Sequence, residues 1–105
     1  MMKWIDIAEI DEFPSNTSKA VTVEGTKIAV FNLKGEFYAI EDACTHDYKT
    51  LTGGAIDGDQ VICPWHGARF HIKTGEALSA PAYDPVATFT TRVENGMVQV
   101  AWIDE

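Results

Sequence analysis

Two short pairs of donor residues stand out in this chain: Cys44-Thr45-His46 and Cys63-Pro64-Trp65-His66. The pattern is C-x-H, sixteen intervening residues, then C-x-x-H. Each pair is short enough for one tight loop to aim both side chains at a single inorganic centre. The spacer is long enough to form a hairpin that brings the two loops together. A thiolate is a soft donor and a neutral imidazole an intermediate one, so the set suits zinc or an iron–sulfur cluster. Gly53, Gly54 and Gly67 stand near the pairs, where backbone has to wrap closely around a centre and turn N–H groups toward it.

The spacing separates these chemistries. Structural zinc sites usually pair like with like, two cysteines and then two histidines. Here each pair is mixed, which suits a two-iron cluster whose one iron takes both sulfurs and whose other iron takes both imidazoles. A zinc-bound structural or interaction module is the reading from a different functional class. A simple disulfide between Cys44 and Cys63 fits poorly with the expectation of a chain without an export signal, in which paired cysteines more often bind metal or do redox chemistry.

With these residues in view, the chain resembles the Rieske-type [2Fe-2S] ferredoxins, including the ferredoxin components of bacterial aromatic-ring dioxygenase systems. The resemblance spans essentially the whole chain. It is densest from Cys44-Thr45-His46 through Cys63-Pro64-Trp65-His66-Gly67-Ala68-Arg69-Phe70 to Thr74-Gly75-Glu76 and Pro81. It implies one [2Fe-2S] cluster, with Cys44 and Cys63 on one iron and His46 and His66 on the other. It also implies an all-β fold of stacked antiparallel sheets with the two cluster loops at one tip. The implied function is one-electron transfer from a reductase, a flavoprotein in the leading reading, to a terminal non-haem iron oxygenase. A relative with the same fold, the small subunit of an assimilatory nitrite reductase, is the alternative. Versions of that subunit often lack the ligands, whereas this chain keeps all four.

Two departures within the family pattern carry information. Asp47-Tyr48-Lys49 follows the first histidine, where a glycine is common. High-potential Rieske proteins carry a second cysteine in each loop, joined in a disulfide, and the corresponding positions here look like Lys49 and Trp65. Those proteins also place hydroxyls where this chain has Ala68 and Phe70. Fewer donors to the cluster sulfurs imply a potential at the low end of the Rieske range.

The remaining residues supply a scaffold and exclude other functions. The chain has 105 residues, one domain's worth, with 46% hydrophobic and 23% charged residues. Positions 1–105 read as a single domain, with the cluster-binding part at about 42–85. Eight basic against sixteen acidic residues give a formal charge of -8, which disfavours nucleic acid and anionic membrane and steers toward a basic protein surface. The expectation is a cytoplasmic monomer. No enzyme activity is expected: a facial-triad oxygenase is excluded because a mononuclear iron site needs two histidines and a carboxylate, and of three histidines the cluster leaves only His71. His71 reads as an ordinary strand residue, and no residue is assigned a catalytic role.

Short apolar runs between Gly, Asn, Asp and Pro predict strands at 4–8, 20–24, 27–33, 36–40, 60–63, 69–72, 86–93 and 97–103. Lys34-Gly35 and Asn95-Gly96 read as hairpin turns. A single helical turn is expected within 8–13, and 14–19 reads as a polar loop. Trp4 and Trp102 are expected in the core. Trp65 is expected to pack over its loop and shield the cluster, with a docking contact as the other role. Glu41, Asp42, Asp57, Asp59 and Asp84 read as turn and solvated surface residues.

Overall fold

The run Ile-Ala-Val-Phe-Asn-Leu at 28–33 dictates the architecture. Alternate residues of a strand point to opposite faces, so a run with five apolar residues in six must be covered on both sides. A computed structural model describes residues 2–44, 49–65, 67–80, 82 and 84–103, and in it all six of these residues are buried. Strand β3 (Thr26–Leu33) lies at the centre of a four-stranded antiparallel sheet with β2 (Thr17–Val23), β4 (Glu36–Glu41) and β8 (Thr88–Phe89), in the order β2-β3-β4-β8.

One face of that sheet, through Ile28, Val30 and Ala39, packs with Val98 and Val100 of β10 (Met97–Ile103). Strand β10 is the middle of a second sheet, between β1 (Met2–Glu9) and β9 (Thr91–Glu94). The other face, through Ala29, Phe31, Leu33 and Ile40, packs with Val61, Phe70 and Ile72. These belong to, or directly follow, a small third sheet of β5 (Ala55–Asp57), β6 (Gln60–Ile62) and β7 (Arg69–His71). The central sheet therefore separates two hydrophobic cores. Both cysteines lie in the core shared with the small sheet. Asn32, buried within β3, donates to the Phe13 carbonyl and accepts from the Gly35 N–H, so its burial leaves these polar atoms satisfied.

The hairpins at Lys34-Gly35 and Asn95-Gly96 form as expected, with both residues of each pair at positive φ, the geometry of a type I′ turn. The short helical turn is a 3-10 turn at Ile10–Glu12. Four scaffold expectations need correction. Strand β2 begins at Thr17, inside the expected loop. Its polar start is tolerated because β2 is an edge strand, and Lys19 covers the Phe13 ring. The segment 86–93 is not one strand. It breaks at Thr90, where the chain leaves the central sheet as β8 and enters the second sheet as β9. The expected strand ranges omit β5, which pairs with β6 as the hairpin expected in the spacer. Trp4 and Trp102 are only half-buried: Trp4 stacks under Arg92, and Trp102 stacks on Phe89 and donates its indole N–H to Glu24.

Candidate metal centre

The first loop leaves the end of β4. The Asp42 N–H donates to the Lys27 carbonyl at 2.8 Å, fixing the departure point on the neighbouring strand. Two residues later the Cys44 N–H donates to the Lys49 carbonyl at 2.7 Å. The chain returns at Leu51 and Thr52, and the Asp42 carboxylate clips both ends of the loop together. Its Oδ1 accepts from the N–H groups of Leu51 (2.6 Å) and Thr52 (2.8 Å), and its Oδ2 accepts from the Thr52 hydroxyl (2.6 Å). Asp42 is 1% exposed, so the expectation of a solvated turn residue is wrong. A buried carboxylate is tolerated when several donors converge on it, as three do here.

The second loop is the connection of the β6–β7 hairpin, entered after Ile62 and left at Arg69, which are register partners. The Cys63 N–H donates to the Ala68 carbonyl at 2.7 Å, and the Gly67 N–H returns to the Cys63 carbonyl at 3.1 Å. Gly67 takes φ +73°, a conformation that side chains disfavour. Beyond the loop, the Arg69 N–H donates to the Ser79 hydroxyl at 3.0 Å. Both loops thus close with the same motif: a cysteine N–H donating to the carbonyl five residues ahead.

Cys44 and Cys63 are 0% and 1% exposed and are members of one buried cluster, and the two are not joined in a disulfide. His46 and His66 lie outside the described residues, as do Asp47, Tyr48 and Pro81. Among the described residues no three His, Cys, Asp or Glu side chains gather as metal donors. The placement of the two thiols still fits an iron–sulfur centre. They open two matched loops over one core, and two thiolates are what the sulfur-ligated iron of such a centre takes.

The loop surfaces differ from expectation at Trp65. It is 60% exposed, so it does not seal the loop. Its ring instead carries the Lys49 ammonium 4.6 Å from its centroid, a contact that joins the second loop to the end of the first. His71 accepts the Lys73 N–H on Nδ1 at 3.2 Å, a local turn contact consistent with its ordinary strand reading. Of the other carboxylates, Asp57 bonds Arg69 at 3.0 Å and Asp59 pairs with Lys73 at 3.8 Å on the exposed side of the small sheet. Sequence reasoning missed Asp42, Ser79 and the Lys49–Trp65 contact. None has a local signature, because each acts on residues far along the chain.

Against known proteins, the family model described as the Rieske [2Fe-2S] domain matches residues 3–90. The ferredoxin component of the naphthalene 1,2-dioxygenase system of Pseudomonas aeruginosa is 36% identical over 98 residues, covering 93% of this chain and 94% of the relative. Among solved structures, a chain of the complex of reduced oxygenase and oxidized ferredoxin in carbazole 1,9a-dioxygenase superposes with a TM-score of 0.88. It is 35% identical, with 93% of this chain and 92% of that chain covered. A putative NADH-dependent nitrite reductase small subunit from Mycobacterium tuberculosis superposes with a TM-score of 0.89, covering 100% of this chain and 99% of that one. At 21% identity it speaks for the fold alone. No helix among the described residues is long and apolar enough to cross a membrane.

Proposed function

The chain belongs to the Rieske [2Fe-2S] domain family, and from that premise we propose that it is the ferredoxin of an aromatic-ring oxygenase system. Cys44 and Cys63 hold one iron of a single [2Fe-2S] cluster, and His46 and His66 hold the other. The cluster supplies a one-electron redox couple and no open position for substrate chemistry. The protein takes its electron from a reductase of the flavoprotein class and gives it to a terminal non-haem iron oxygenase. Residues 1–105 act as one domain, a monomer of the cytoplasm, with 42–85 carrying the cluster. The observation that carries this reading is the pair of buried thiols opening two loops closed by the same hydrogen bond.

Metal and sulfide analysis tests the assignment. The expected result is about two irons and two acid-labile sulfides per chain, with a red-brown colour. His46→Cys should shift the visible spectrum toward an all-thiolate centre or abolish assembly. Stoichiometric zinc in protein made with ample iron overturns the reading.

The formal charge of -8 supports steering toward a basic partner surface. The second-order rate of electron transfer to the oxygenase should therefore fall as salt rises. The Debye length shrinks from about 10 Å at 0.1 M to about 3 Å at 1 M, and a rate indifferent to salt removes the electrostatic argument.

A further inference from the structure

Each loop is closed within itself by its cysteine N–H, but that closure says nothing about how one loop is held against the other. Asp42 ties the first loop to its own return, and Ser79 ties the second loop to the segment that follows it. Above the core that the two loops share, the Lys49 ammonium lies on the Trp65 ring and runs from one loop to the other. Lys49 is the residue whose carbonyl closes the first loop, and Trp65 lies between Cys63 and Ala68 in the second. The contact therefore joins the two closures themselves. With most of its surface open to water Trp65 gains little from burial, so packing alone does not explain why a ring of this size stands there.

We infer that Lys49 and Trp65 form a noncovalent strap that holds the two ligand loops in register and so sets how tightly the protein retains its cluster. Both are positioning residues: neither is a ligand, and each acts through the other. The inference rests on the ligand assignment above. It also specifies the side chains that can serve. Arginine in place of Lys49 keeps a cation that stacks on an indole, whereas methionine keeps the length and loses the charge. At position 65, leucine keeps apolar bulk and loses the π face.

A double-mutant cycle on the cluster-loaded protein tests the strap. Loss of visible absorbance is followed under an excess of iron chelator for the wild type, Lys49→Met, Trp65→Leu, the double variant and Lys49→Arg. Each broken single variant should lose the cluster about three-fold faster, the size of effect an exposed cation–π contact gives. The double variant should be no faster than the faster single, and Lys49→Arg should stay near the wild type. Hydrogen–deuterium exchange gives a readout that survives even where a variant assembles cluster poorly. Either single variant should speed exchange at the Cys44 and Cys63 amides together. Rates that multiply in the double variant, or exchange that rises only in the mutated loop, overturn the strap while leaving the cluster reading intact. A wild type with no iron or sulfide overturns the cluster reading and the strap with it.

Discussion

The two cysteine loops share one closure and differ in what secures it. In the first, the stem is held by a buried carboxylate that accepts from two backbone N–H groups and a hydroxyl, and the stem itself is the end of a central-sheet strand. In the second, the stem is the three-residue ladder of β6 and β7, supplemented by the neutral Ser79 hydroxyl. The contrast follows from what each loop connects. The second joins paired strands, so ladder hydrogen bonds hold its ends at the right separation. The first joins β4 to a segment whose described residues pair with no strand until β5, so its ends need a side chain to do what a ladder does elsewhere. An ionised acceptor is suited to this task, because charge-assisted hydrogen bonds are roughly twice as strong as neutral ones.

Removing the carboxylate is the most direct way to break that contrast. Asp42→Ala leaves the Leu51 and Thr52 N–H groups without their acceptor in a buried stem. Stranded donors of this kind, with the lost charge-assisted bonds, should cost about 3 kcal/mol. That is a large share of the about 5–15 kcal/mol that stabilises a typical domain. Asp42→Asn keeps one oxygen acceptor and should cost roughly half as much. Urea unfolding checks this: the midpoint should fall with little change in slope. An Asp42→Ala midpoint within experimental error of the wild type would show that the first loop is held by something other than this clip.

Legibility in the sequence divides along the same line. The donor pairs were readable because ligation demands particular residue types at short spacing, which an amino-acid string displays directly. Strand β3 was readable because five of six successive residues are apolar, and the hairpins because their turn residues must take positive φ. What stayed hidden acts over distance. Asp42 looked like any acidic residue at a strand end, since its partners lie nine and ten positions away and the fold alone brings them there. Trp65 looked like a shielding ring, because nothing in a linear pattern shows that Lys49 would reach it. The break at Thr90 was hidden for a related reason: a chain passing from one sheet to another stays extended, and here β-branched residues stand on both sides of the corner. The polar start of β2 was hidden because an edge strand has a weaker demand for apolar residues.

The smallest effect is expected at the second loop's side-chain anchor, and it sharpens the comparison most. Ser79→Ala removes one neutral, part-buried hydrogen bond to the Arg69 N–H while the β6–β7 ladder stays in place, so the loss should be about 1 kcal/mol. Hydrogen–deuterium exchange should then rise most in residues 63–69 and less in 49–52, the mirror image of Asp42→Asn. Combining the two variants tests whether the loops are independent. Sites with no shared partners add to within about 0.3–0.5 kcal/mol, whereas sites coupled through a common contact depart from additivity. Among the described residues Asp42 and Ser79 share no hydrogen-bond partner, so a departure points to contacts between the loops. With Lys49 and Trp65 as that contact, Asp42→Asn and Ser79→Ala should couple in the wild-type background and become additive once Lys49→Met is added. Coupling that survives Lys49→Met would place the communication between the loops in the shared core beneath the two cysteines instead.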